Sequence, residues 1–382
     1  MAMDGLVNIF KEIFSTLPRL FKAPGRINLI GEHTDYNEGF VLPAGFDKYC
    51  HLAIAESENK RYKIIAADLD ERHSFDVLPD QKSTPHWMNY IWGVMHAFNM
   101  RGFQIPPFNA VVQSDIPLGA GLSSSAALEV VFAKAFNELF QCGLSNIELT
   151  SIAKEAENNF VGLQCGIMDM FASVHAKLDH AIKLDCRDLS FNYVPLKLAG
   201  NKILLIDTCI KHELASSEYN KRRLECEAAV AKLKFHGIEA DSLRQVNLDN
   251  LTSIKSSLSD IEFKRASYVV EENDRLNQFV QAISMSNWRD AGNLLYASHN
   301  GLKNDYQVSC EQLDFLVEKV KSIDGVWGGR LMGGGFGGCT INLVETEKME
   351  EITSIITAAY HKQFGVDPKY YIASTGDGAC EC

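Results

Sequence analysis

Glycine fills five of the six positions in 333-GGGFGG-338, and no other stretch of this 382-residue chain limits its backbone as strongly. With so few side chains to hold neighbours apart, the backbone here must pack very closely, either against a ligand or against another backbone. The run formally contains G-x-G-x-x-G. No convincing strand precedes it and no helix-length pattern follows, so a dinucleotide-dependent oxidoreductase is set aside. The HRD and DFG partners of protein kinases are absent too. A second glycine loop, 117-PLGAGLSSSA-126, lies between a strand-like run and the pattern ALEVVFAKAFNELF, where Leu128, Val131, Phe132, Ala135, Phe136 and Leu139 recur at helical spacing. Its glycines allow a tight turn, while Ser123, Ser124 and Ser125 place hydroxyls beside the unpaired amides of a helix's first turn. Such a terminus suits phosphate, because it offers donors and about half a positive charge. A glycine-softened turn with a serine N-cap fits this loop equally well. It is not the Walker pattern, since no Lys follows the second glycine.

Elsewhere, polar residues crowd where apolar ones are expected. The segment 25-GRINLIGEHTDYNEG-39 brings together Arg26, Asn28, Glu32, His33, Asp35, Tyr36 and Asn37. A hydrated surface loop could hold them, yet this is also the donor and acceptor set that binds sugar hydroxyls. In 165-CGIMDMF-171, Asp169 stands alone in an apolar run, where a carboxylate is costly to desolvate unless paired. It is either structural through a nearby Arg or functional. Glu157 poses a similar question: it follows Ala153 by four residues and precedes Phe160 by three, on the apolar stripe of its helix. An acid there wants a cation, and a divalent metal would supply one.

Composition narrows the class. No run approaches the ~18 consecutive apolar residues of a membrane span, and a net charge of -12 opposes binding to nucleic acid or anionic membranes. A small ligand is expected instead. Ten cysteines show no CxxC and no metal-type spacing, which reads as free thiols in a reducing cytoplasm. Leu6, Ile9, Phe10 and Ile13 recur at helical spacing behind Asp4, so the start is a mature amphipathic helix rather than a signal peptide. Residues 20 to 115 mix strand-like runs with one helical segment, HWMNYIWGVMHAF, and Ser145 with Glu148 forms a capping box opening a helix through Phe160. HAIKLDCRDL and KILLIDTCI read as strands around a loop at 187 to 202, whose Pro195 and Gly200 mark a domain boundary. The second half is richer in helix. The fold class is therefore α+β with two domains, 1–195 and 196–382.

Taken together, GRINLIGEHTDYNEGFVLP, PLGAGLSSSAALE, GGRLMGGGFGGCTINL and the ending GDGA (376–379) resemble the GHMP small-molecule kinase superfamily, and within it the galactokinase family. The four segments stand in that family's order across nearly the whole chain. The resemblance implies a two-domain architecture with the active site in the cleft between domains. It implies ATP-dependent phosphorylation of the anomeric hydroxyl of α-D-galactose to galactose 1-phosphate plus ADP, the first committed step of galactose use by the Leloir pathway. By the same motifs, Asp169 is the catalytic carboxylate near the C1 hydroxyl, as base or as orienting group, with Arg26 beside it. Glu32, His33, Asp35, Gly166, Asp169 and Tyr219 would bind the sugar. Gly119, Gly121, Leu122, Ser123, Ser124 and Ser125 would wrap the triphosphate, with Ser125 and Glu157 on Mg²⁺. Trp87 and Tyr90 match positions near the adenine, although their spacing with Ile91 and Val94 also permits a core role. The third loop would support the substrate cleft. Met170 stands where the family commonly has Gln, and Met332 where it often has Thr. Neither removes a charged group.

Two rivals keep part of this reading. An N-acetylgalactosamine kinase would share much of the first signature. A non-catalytic galactose and ATP sensor would not need Arg26, Asp169 and the full SSSA loop, all of which are present. No segment signals an obligate interface, so a monomer is expected.

Overall fold

In the computed structural model, which describes residues 2–210 and 215–382, three sheets organise the chain. The first has six strands in the spatial order Cys380–Glu381, Arg19–Asn28, Pro43–Glu56, Phe108–Ser114, Tyr62–Ala66 and Glu71–Phe75. Helices pack on both of its faces. On one, the amphipathic helix Ala2–Phe14 buries Leu6 and Phe10 against Ala53, Ile65 and Val111. Full burial of side chains this size contributes ~1.5–3 kcal/mol each. On the other, the main core gathers Val131, Phe132, Ala135 and Phe136 of the helix Ser124–Leu139 with Ile91, Val94 and Phe98 of the helix Met88–Met100.

A four-stranded sheet in the order Val326–Leu331, Cys339–Glu345, Asn201–Asp207, Lys369–Ala373 carries the second half. The helix Trp288–Asn304 packs on its Val326–Leu331 strand, Asp260–Ser284 packs on that helix, and Ala215–Phe235 on Asp260–Ser284 in turn. A small third sheet comprises Phe40–Val41, just after the polar segment, with His180–Asp185 and Phe191–Pro195. The stretch expected as loop at 187 to 202 thus contains a strand. Its residues FNYVP are aromatic and β-branched, and they form a hairpin with His180–Asp185 through a short turn.

Local irregularities set where two key segments lie. The capping box at Ser145 and Glu148 is formed, and its helix runs Asn146–Glu155. Beyond it, Ala156–Val161 winds as a single π-helical turn. Such a turn inserts an extra residue per ring and re-aims the side chain it carries, here Glu157. The tail then returns to the first sheet. Gly378 N–H donates to Ala176 O and Ala379 N–H to Ser173 O, which ties down the C-terminal end of the helix Met168–His175. Among the described residues, no helix is long and apolar enough to cross a membrane.

Candidate active site

The two glycine loops meet. A Cβ on Gly333 would lie 3.5 Å from Gly121 O, and one on Gly338 3.5 Å from the carbonyl carbon of Ala120. The glycine-dense run therefore packs on another backbone, one of the two outcomes its composition allows. Gly335 goes further: its φ is +80°, and a Cβ there would strike Val308 O at 2.1 Å. Only glycine fits such a position without displacing backbone.

A cleft of about 430 Å³ opens where the loops, the first sheet and the helix Ala215–Phe235 come together. Arg26, Glu32, His33, Asp35, Gly119, Gly121, Leu122, Ser123, Ser124, Ser125, Glu157, Gly166, Asp169 and Tyr219 all line it. The structure thus joins nearly every expected site residue across some 190 positions of sequence. Trp87 and Tyr90 are not on its wall. The Trp87 indole donates to Glu71 Oε2 at 2.7 Å, and the Tyr90 ring stands edge-on to His86.

Asp169 sits in the first turn of the helix Met168–His175, with about a third of its side chain open to the cleft. Arg26 Nε donates to Asp169 Oδ1 at 2.8 Å, and Ser123 Oγ donates to Oδ2 at 2.5 Å. Arg26 reaches there because its strand is irregular: the register slips between Pro24 and Arg26. Gly25 lets that strand approach the loop, since a Cβ would meet Leu122 O at 2.7 Å. Arg26 N–H donates to Leu122 O, and Arg26 Nη1 donates to Gly121 O at 2.6 Å. The first glycine loop is therefore clamped to the ion pair. Ser123, at φ +56°, does not cap the helix Ser124–Leu139, because its hydroxyl serves Asp169 instead. With no side-chain cap among the described residues, the helix's first-turn amides point toward the cleft, as an anion site requires.

The sugar-type residues sit deeper. Glu32 Oε1 accepts from Gly333 N at 2.7 Å and from Arg330 Nη2 at 3.2 Å. Both nitrogens of His33 are engaged, Nδ1 with Tyr36 OH and Nε2 with Gly334 O. Asp35 accepts from the backbone of Tyr36 at 3.0 Å and of Met168 at 3.4 Å. Burial, with Asp169 nearby, pushes its carboxyl up to about 6. Burial also holds His33 down at about 3, so its ring is neutral.

Glu157 faces Ser125, whose Oγ donates to Oε1 at 3.4 Å, and Cys165 Sγ lies 3.6 Å from Oε2. Burial first, then Asp169, pushes Glu157 up to about 7. Beneath it Glu129 is fully buried, with neither oxygen hydrogen-bonded among the described residues, and burial raises its carboxyl well above the usual range. Among the described residues lining the cleft, the acids Glu32, Asp35, Glu157 and Asp169 outnumber the one cation, Arg26. Hard oxygen donors short of positive charge fit Mg²⁺. No group of three or more His, Cys, Asp or Glu forms a metal cage among the described residues.

Several supporting residues escaped the sequence reading. Arg330 is wholly buried and holds the carbonyls of Asn28 and Leu29 as well as Glu32. One face of the helix Asp260–Ser284 secures the backbone of the sugar-type loop. Tyr268 OH donates to Glu32 O, Glu272 Oε1 accepts from Gly31 N, and Asn273 Oδ1 accepts from Phe40 N. The signal for Arg330 was the one used for Asp169, a charge inside an apolar and glycine run, whereas Glu272 lies in the charged stretch 271-EENDR-275 and carries no such signal.

Comparison with known proteins agrees with this geometry. The family model "GHMP kinases N terminal domain" matches residues 89–177, "GHMP kinases C terminal" matches 279–362, and "Galactokinase galactose-binding signature" matches 8–56. The chain is 44% identical over 357 residues to a galactokinase of Thermosipho africanus, covering 94% of this chain and 98% of that protein. It is 41% identical to one of Roseiflexus sp., covering 97% and 94%. The crystal structure of Lactococcus lactis galactokinase complexed with galactose superposes with a TM-score of 0.95 at 31% identity, over 100% of both chains. A Methanococcus jannaschii mevalonate kinase shares the fold at a TM-score of 0.68 and 17% identity, over 94% of this chain and 99% of that one. The chain belongs to the galactokinase family of the GHMP kinases.

Proposed function

We propose that this cleft transfers the γ-phosphoryl group of ATP to the anomeric C1 hydroxyl of α-D-galactose, giving galactose 1-phosphate and ADP. The observation that carries the reading is the Arg26–Asp169 pair set against an uncapped helix N-terminus. One carboxylate for an acceptor hydroxyl thereby stands beside a guanidinium and amides suited to phosphate.

In this reading Asp169 accepts the hydrogen bond of the C1 hydroxyl and aims its oxygen at the phosphorus. Arg26, steadied by Gly121 O, offsets charge on the transferring group. Glu32, His33, Asp35, Gly166 and Tyr219 surround the sugar. Gly119, Gly121, Leu122, Ser123, Ser124 and Ser125 wrap the triphosphate, while Trp87 and Tyr90 stand toward the adenine. Ser125 and Glu157 would hold Mg²⁺, which when bound neutralises phosphate charge. The second glycine run supports the cleft wall. Two domains, 1–195 and 196–382, are the working division. A monomer and a cytoplasmic setting complete the reading, and ten free thiols suit the latter.

The test is a coupled ADP-release assay with Mg·ATP and galactose, N-acetylgalactosamine, glucose or no sugar. Sugar-dependent turnover greatest with galactose is expected. Preference for N-acetylgalactosamine would overturn the substrate, and saturable galactose binding without turnover would overturn the reaction.

A further inference from the structure

A line of hydrogen bonds, part-buried at first and fully buried at its far end, runs away from the cleft behind His33. His33 Nε2 lies 3.2 Å from Gly334 O, and Nδ1 lies 2.7 Å from Tyr36 OH. Tyr36 OH lies 2.8 Å from Tyr306 OH, which in turn lies 3.2 Å from Cys226 Sγ. Tyr306 and Cys226 are essentially sealed from solvent. Neither tyrosine has a place in the proposed phosphoryl transfer.

The direction of this line is set by donor and acceptor chemistry. A backbone carbonyl can only accept, so Gly334 O requires the proton on His33 Nε2. A neutral imidazole carries one ring proton, which leaves Nδ1 as an acceptor. Tyr36 O–H must then donate to Nδ1, its oxygen accepts from Tyr306 O–H, and the Tyr306 oxygen accepts from the Cys226 thiol. The opposite order would set the Nε2 lone pair against the Gly334 carbonyl. A satisfied buried line of this kind has one favoured direction, because each bond polarises the next.

We propose that Tyr36, backed by Tyr306, is a positioning residue that, together with Gly334 O, locks His33 in its Nε2–H tautomer and holds its ring in one orientation at the sugar end of the cleft. The fixed ring then forms a rigid wall against which the sugar packs, while Asp35 two residues on accepts a hydrogen bond from the same sugar. The same line ties the second glycine run, through Gly334, to the helix Ala215–Phe235, through Cys226. This inference rests on galactose as the substrate only for its kinetic consequence, since the tautomer is a property of the unliganded protein.

The first measurement is long-range ¹H–¹⁵N NMR of the wild-type histidine side chains at pH 7, with His33→Gln supplying the assignment. A single Nε2–H tautomer is expected, and an Nδ1–H or imidazolium signature would overturn the proposal. In Tyr36→Phe, Nδ1 loses its donor. The His33 ring signals should then shift and broaden as the ring loosens, with the Nε2 proton kept by Gly334 O, and the galactose KM should rise about three- to tenfold, the loss of one neutral hydrogen bond. kcat and the ATP KM should stay within about twofold. Tyr306→Phe should give a smaller change in the same direction. Unchanged His33 signals together with an unchanged galactose KM in folded Tyr36→Phe would mean Tyr36 only packs. If the wild type fails to turn over galactose, the functional reading falls while the tautomer result still decides this one.

Discussion

Gly166 has no room for a side chain: a methyl group there would sit 1.8 Å from Asp35 Oδ2 and 2.0 Å from its Cγ. Ordinary contact begins near 3.4 Å, so in Gly166→Ala the carboxylate must retreat by about 1.6 Å, the difference of the two distances. It is held by Tyr36 N at 3.0 Å and Met168 N at 3.4 Å, and a retreat of that size breaks at least one of these bonds. Hydrogen bonds to a charged group contribute ~1.5–3 kcal/mol. Losing one such contact to the sugar therefore corresponds to about 10- to 150-fold in galactose affinity. Steady-state kinetics with each substrate varied in turn, alongside a urea unfolding curve, is the assay. The galactose KM should rise by about that factor, with the ATP KM within about twofold. A double variant, Gly166→Ala with Asp35→Ala, should cost much less than the sum of the two, since both act on one contact. A folded Gly166→Ala protein with an unchanged galactose KM would refute the placing of Asp35 against the sugar.

Asp169→Asn should lower kcat at least ~10²-fold while ATP binding by calorimetry stays nearly intact; near-normal turnover would remove Asp169 from the reaction. Glu129 bears on pH. Its carboxyl is raised in the folded protein by burial, so the folded state keeps a proton that the unfolded chain loses above about 4.3. Stability from this group is therefore lost as pH rises, by up to about 1.4 kcal/mol per pH unit. Glu129→Gln should gain on the wild type in melting temperature progressively from pH 5 to 8, and a difference that stays flat with pH would contradict the buried acid. Glu272→Ala leaves the half-buried Arg275 without its closest acid and Gly31 N–H without an acceptor. It should cost about 3–5 kcal/mol in urea unfolding, whereas a loss under ~1 kcal/mol would show that the contact does not hold the loop.

Much of the site was legible because its chemistry breaks local rules. Asp169 in an apolar run, Glu157 on an apolar stripe and serines behind glycines each announce an unmet need, and the structure draws all of them to one cleft. What remained hidden depends on distant partners. Ser123 reads equally as a cap, and only the approach of Asp169 from 46 residues away shows its hydroxyl pointing elsewhere. The π-helical turn that aims Glu157 has no periodicity of its own. Tyr36 and Tyr306 are 270 residues apart, and nothing in either segment indicates that their hydroxyls touch. Phe191–Pro195 passed for loop because five residues between turn signals carry too little alternation to count as a strand.

The most direct test of the proposed reaction is where the phosphoryl group lands. Purified protein with Mg·ATP and galactose, followed by ¹H-coupled ³¹P NMR, should yield one sugar phosphate whose phosphorus couples to the α-anomeric proton, in step with ADP. Phosphorus coupled to the C6 protons, or inorganic phosphate released with the sugar unchanged, would contradict the placing of the C1 hydroxyl between Asp169 and the γ-phosphate.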